Sequence, residues 1–269
     1  MKEQLQKDFD NTIKNLSLSQ KDIEIKKFYL DSFVNRGFPN RKEEDWKFSD
    51  LSQIIKKNIG ELSFYTDYTS TNKIDTSVYV DGLEHNKIVF INGRIEKIDF
   101  DYEKKNQIEI IDQSETIDQF NNNNSLSDLN NAFTNKSFKV LIKKGYQLKK
   151  PLIIYHTTNS NIWSKNINLR LNFELDNDSS LRLIDLFNDT SEKNFLNIFY
   201  NFDLKENAIL KNYKIDRFES KNIKYSYNNI EQAKNSNSET FILSSGSNFF
   251  KNEINTNLKG KYSSAFVNG

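Results

Sequence analysis

NFELDNDSSLRLID at 172–185 and NFDLKENAILKNYKID at 201–216 are the two stretches that decide the architecture. Each reads Asn-Phe-acid-Leu, then a polar turn, then a small residue and alternating apolar residues. Looser copies follow at Asn228–Glu231 and Asn255–Leu258. The anchors Leu175, Leu204, Ile230 and Leu258 recur at roughly 26–29 residues, a period that indicates a solenoid or propeller. Two short strands per period fit a β-solenoid, in which each coil stacks its inward Phe, Leu and Ile on the next. The alternation starts upstream at Phe138, where FKVLIKKGYQLKKPLIIYH runs through a turn at Gly145.

Toward the N-terminus the period changes to that of a helix. Leu5, Phe9, Ile13 and Leu16 share one face. Ser19 and Asp22 have the spacing of a capping box that opens a second helix. Ile25, Phe28, Tyr29, Ser32, Phe33 and Arg36 continue its face, Gly37 stands where a left-handed cap belongs, and Pro39 blocks continuation. A third helix starts near Ser49, with Leu51, Ile54 and Ile55 inward. Residues 59–80 read as a polar connection. Lys87–Phe100 reads as two strands around Asn92-Gly93, a dipeptide suited to a type I′ hairpin. Residues 112–131 read as loop or weak helix, with a solvated asparagine run at 121–124. The expected organisation is a helical region at 1–70, a mixed connection at 71–137 and the solenoid at 138–269.

Composition narrows the function. The chain has 269 residues, 38 Asn, 8 Gly and 2 Pro, which leaves no Gly-rich phosphate loop. Aromatic residues make up 13%, too many for a disordered chain. The net charge of +1 gives no footprint for nucleic acid. With no Cys and only His85 and His156, a zinc site and a thiolate nucleophile are excluded. The charged start MKEQLQKDFDNTIKN lacks a signal-peptide core, and no apolar run approaches membrane-spanning length. A cytoplasmic protein that contacts neither membrane nor nucleic acid is expected. The last stretch, LKGKYSSAFVNG, is strand-like and has no capping helix, so the chain is expected to be the front part of a longer protein.

Gly37–Leu51, GFPNRKEEDWKFSDL, resembles a motif of the SufB/SufD family of iron–sulfur cluster assembly scaffolds, and its SufD branch more than SufB. Gly37, Pro39, Arg41, Glu44, Trp46, Lys47, Phe48, Ser49 and Leu51 carry the resemblance. VFINGR at 89–94, LNNAF at 129–133, Val140–His156, Ala208–Arg217 and Ser247–Leu258 are similar to later family segments. The resemblance implies a mainly β fold with an α-helical N-terminal region and a right-handed parallel β-helix core. It implies a non-enzymatic SufD-like scaffold that works with a SufB-like subunit and a SufC-like ATPase. This chain alone would bind no cofactor. The complex would build the iron–sulfur cluster and use ATP through its ATPase. The family's functional His maps onto neither His85 nor His156, so no catalytic, cofactor-binding or metal-ligating residue is assigned.

Other residues invite weighing. Arg41, Glu44 and Trp46 form either a recognition patch or, more simply, a corner with Trp46 buried and Arg41 paired to Glu44. His156 reads as a satisfied or exposed strand-end residue rather than a ligand. Asp176, Asp178, Asp203, Glu206 and Glu231 recur with the repeat. They form either a carboxylate column for Ca²⁺ or, as expected, ordinary turn chemistry. The lysine pairs 143–144 and 149–150 read as a solvated rim. The alternative function is a carbohydrate-active solenoid enzyme using that acidic column. A plain solenoid that binds another protein edge to edge is weaker.

Overall fold

The computed structural model describes residues 2–16, 18–67, 74–113, 124–135, 137–158, 162–187, 193–216, 220–245 and 247–269. Arg217 and positions 121–123 of the asparagine run lie outside them. The core is a parallel β-solenoid of about four turns. One sheet stacks β5 (Ser137–Ile142), β7 (Lys165–Leu175), β9 (Phe195–Leu204), β11 (Ser220–Gln232) and β13 (Ser247–Leu258). The other stacks β6 (Leu152–Thr157), β8 (Ser180–Phe187), β10 (Ile209–Asp216), β12 (Asn237–Ser244) and β14 (Ser264–Asn268). At the first coil both sheets end in antiparallel strands. β4 (Ile108–Asp112) pairs with β5. The hairpin β2 (Asn86–Ile91)–β3 (Arg94–Asp99) joins through β2 to β6. Asn92 and Gly93 both have positive φ, 52° and 80°, as the I′ turn requires.

The register refines the repeat. Leu175 pairs with Leu204, Leu204 with Gln232, and Gln232 with Leu258. The third anchor is therefore Gln232, and Ile230 stands one pleat earlier, below Phe202. Gln232 tolerates an apolar column because its amide is fully used. Nε2 donates to the Ser264 carbonyl at 2.9 Å, and Oε1 accepts from the Ser238 hydroxyl at 2.9 Å. Phe173 stacks on Phe202 with centroids 4.9 Å apart.

Each coil turns at a residue in the left-handed region: Gly145, Asp178, Asn207, Asn235 and finally Tyr262, with φ between 57° and 70°. Asx side chains tolerate this conformation better than other non-glycines. They also bond along the axis. Asn207 Nδ2 donates to Asp178 Oδ1 at 2.7 Å, and Asn235 Nδ2 to Asn207 Oδ1 at 3.0 Å. The scarcity of Gly is thus absorbed by a ladder of Asx turns.

Helices α1 (Lys2–Asn15), α2 (Gln20–Arg36) and α3 (Leu51–Asn58) cover the outer face of the odd-numbered sheet. Ser19 and Asp22 form the capping box, and Gly37 ends α2 with φ 74°. The buried face of α2 is Asp22, Lys26, Tyr29, Leu30 and Phe33. Phe28 points outward and is 68% exposed. Within the connection expected at 59–80, β1 (Ser63–Phe64) pairs with β7. Of the stretch expected as loop or weak helix, residues 125–133 are helical and, unexpectedly, buried. They form helix α4 (Ser125–Phe133), every residue of which is buried, capped by Asn124 at the end of the asparagine run. α4 is wedged between α2 and the sheet. Its Asn130 Nδ2 donates to the carbonyls of Leu169 and Asn197.

Trp46 is buried against Tyr225 and Phe249, with the Lys251 ammonium 4.8 Å from its ring. The expected Arg41–Glu44 pair does not form. Glu44 bonds Lys47 at 2.7 Å on the exposed surface, and Arg41 points to solvent. On the even-numbered sheet, Val78, Tyr79 and Val80 cover Val89, Ile153 and Tyr155.

Both variants lose the ladder bonds, so Asn207→Gly costs about 1 kcal/mol, and Asn207→Val costs about 1–2 kcal/mol more through backbone strain. Thermal unfolding followed by circular dichroism separates the two. Equal costs would refute the role of the left-handed turn.

Candidate functional site

Strand alternation places a charged cluster inside the solenoid. Leu210, Asn212, Lys214 and Asp216 of β10 are buried, while Ile209 and Tyr213 are 42% and 37% exposed. Lys214 lies directly beside Asp185 of β8 in the parallel register, and its Nζ donates to Asp185 Oδ2 at 2.6 Å. Asp185 Oδ1 accepts from the Tyr200 hydroxyl at 2.9 Å and lies 2.6 Å from His156 Nε2. The Tyr200 oxygen is itself 2.7 Å from the same nitrogen. Tyr200 spends its only proton on Asp185, so the network assigns a proton to His156 Nε2, shared between the two oxygens. The His156 ring is sandwiched between Phe90 and Phe187. The Lys214 ammonium sits 4.4 Å from the centroid of the Tyr200 ring.

A second pair lies nearby. Lys224 Nζ donates to Asp216 Oδ1 at 2.8 Å, and the Ser247 hydroxyl caps Asp216 Oδ2. Side chains of both ion pairs are no more than 1% exposed. Burial alone would raise the Asp185 carboxyl. The charges and hydrogen bonds of Lys214 and His156 overcome it and hold Asp185 well below the usual carboxylate range. Burial lowers Lys214, and Asp185 only partly offsets this. Tyr200 is pushed far up by burial and by Asp185, so its phenol stays protonated. Two aspartates face two lysines, so the charges of the two ion pairs balance.

The arrangement holds protons and locks neighbouring coils together. His156 is bonded through Nε2, and it is buried rather than exposed at its strand end. His85 is also engaged: Nδ1 donates to the Leu83 carbonyl at 2.6 Å, and Nε2 accepts from Tyr155 at 2.8 Å. Of the repeating acids, Asp203, Glu206 and Glu231 pair with Lys205, Lys234 and Lys259. Asp176 and Asp178 serve turn bonds. Among the described residues no group of three or more His, Cys, Asp or Glu could hold a metal ion. Lys143 and Lys150 pair with Glu109 and Glu84 at the rim.

Sequence reasoning missed Asp185, Tyr200, Lys214, Asp216 and Lys224. One signal was available: Lys214 follows Asp185 at 29 residues, the offset at which β8 pairs with β10.

This is a two-sheet parallel β-solenoid tied through its lumen by buried ion pairs and flanked by helices. Residues 155–269 match the family model for SUF system FeS cluster assembly, SufBD core domain, which supports the SufB/SufD family. That span holds all six residues of the lumen cluster and leaves out the motif at 37–51. No curated protein matches the chain. No helix among the described residues is long and apolar enough to cross a membrane.

Two predictions follow from the buried charges. Asp185→Leu strands Lys214 and costs about 3–5 kcal/mol, while Asp185→Leu with Lys214→Met recovers most of that loss. A double-mutant cycle read by melting temperature checks this, and an additive pair would refute the coupling. Lys26 of α2 is buried, donating to the carbonyls of Asn131 and Thr134. Burial brings it down from 10.5 to about 8, with Asp22 opposing and Arg170 assisting. Between those values the unfolded chain binds the proton and the folded chain does not, so stability climbs with pH. The climb across the whole window is about 3 kcal/mol. Lys26→Met should abolish Lys26's share between pH 8 and 10, measured by denaturation at a series of pH values.

Proposed function

We propose that the chain is a SufD-like scaffold in iron–sulfur cluster assembly, working with a SufB-type subunit and a SufC-type ATPase. The observation that carries the reading is the parallel solenoid whose residues 155–269 match the SufBD core domain. The motif resemblance at 37–51, in the helical layer outside the matched span, favours the SufD branch. On this reading the chain is non-catalytic. Both histidines are committed to internal hydrogen bonds, and the carboxylates that recur on the outside are paired with lysine or used in turns. The cluster is cargo of the complex, and nucleotide hydrolysis belongs to the ATPase. This chain contributes a stiff wall. The lumen ion pairs tie coil to coil, and Trp46 and α4 clamp the helices to the sheet, so a push from the ATPase reaches the assembly interface without being absorbed by bending.

The test is genetic and biochemical. Deleting the gene that encodes this chain should lower the activity of iron–sulfur enzymes such as aconitase, and its return should restore it. A tag at the chromosomal locus should recover a Walker-type ATPase. Unchanged aconitase under iron limitation, together with recovery of no ATPase, would overturn the assignment.

A further inference from the structure

The lumen changes character along its axis. β7 fills it with Leu169, Leu171 and Phe173. Two coils further on, the same face carries Ser226 and Asn228 from β11, opposite Ser238 and Thr240 from β12. In this polar stretch four inward amide atoms find no protein partner: Asn212 Nδ2 and Oδ1, Asn228 Oδ1 and Asn252 Nδ2. Asn212 is 1% exposed and Asn228 fully buried. Exchanging the two ends of the Asn212 amide does not help, since both lack a partner. Asn228 Nδ2 already donates to Asn252 Oδ1 at 3.0 Å, so that pair shares one bond and leaves its other two ends free.

A buried polar atom without a partner is costly, and native interiors satisfy almost all of them with protein or ordered water. Asn212 stands between Leu183 and Thr240 in the register, so a hydroxyl one rung away offers a further hydrogen-bonding group. Both neighbouring ion pairs are internally neutral, which leaves nothing to attract an ion. A small neutral molecule that donates and accepts together matches the unpaired ends.

We propose that the solenoid lumen from β10 to β13 is a hydrated chamber, with ordered water bound to Asn212 and to the Asn228–Asn252 pair. The apolar coils from β5 to β8 are dry except at the His156 cluster. Water thus replaces the side-chain stacking that holds the earlier coils together.

The full chain, labelled with ¹⁵N, tests this through magnetisation transfer from water to side-chain amides. Direct transfer to the Asn212 and Asn252 amide protons is expected, and Asn212→Leu, which takes its amide away, assigns the first signal. Absence of water transfer at both amides overturns the proposal. If the variant fails to fold, the measurement on the unmodified chain still decides.

Discussion

Parallel in-register stacking is the constraint from which the rest of this molecule follows. Each residue meets its counterpart one period away at about 4.8 Å, so every position must be compatible with itself or with a chosen complement. Apolar columns solve this by stacking, as Phe173 does on Phe202. Amides solve it by bonding head to tail: Asn201 Nδ2 donates to Asn172 Oδ1, and Asn255 Nδ2 to Asn229 Oδ1. Charges solve it by alternation, as in Asp185 beside Lys214 and Lys211 beside Glu239. Where acids do repeat, at Glu174, Asp203 and Glu231, each rung has its own lysine. The abundance of Asn has a structural use in these ladders and turns.

The same constraint shapes the outside. The helical layer docks on one sheet through aromatic contacts at Trp46 and through Asn130, which reaches carbonyls of two adjacent strands at once. These groups explain why segments resembling the SufB/SufD family at 37–51 and 129–133 are far apart in sequence yet serve one purpose. Both attach helices to the face of the odd-numbered sheet. The result is a stiff body, with shear resisted inside the lumen and at its surface.

Much of the fold was legible from local chemistry. The capping box at Ser19, the Asn92-Gly93 hairpin and the repeat at 172 and 201 rest on short-range rules and survive in the structure. The burial of helix α4 was not legible, because SLSDLNNAF is too polar to announce it; Asn130 is taken up by strand carbonyls and Arg170, and Ser127 by Arg170. The lumen cluster was hidden for a related reason. In LKNYKID, alternation alone puts Tyr213 and Ile215 inside and Lys214 outside. The register reverses this, because Leu210 continues the buried column of Leu181. A charged residue enters a core only with its partner, and that partner lies a whole repeat away, beyond the reach of any window used to read periodicity.

The Asp185–Lys214 bond divides one neutral unit between two coils. A solenoid ordinarily grows or shrinks by duplication or loss of single repeats, since each contacts only its neighbours. Here the coil carrying Asp185 cannot be lost, copied or exchanged without leaving an unbalanced charge in the interior. Asp216 and Lys224 tie in the following coil by the same kind of bond, so three successive repeats are held as one unit and any change in repeat number falls outside them.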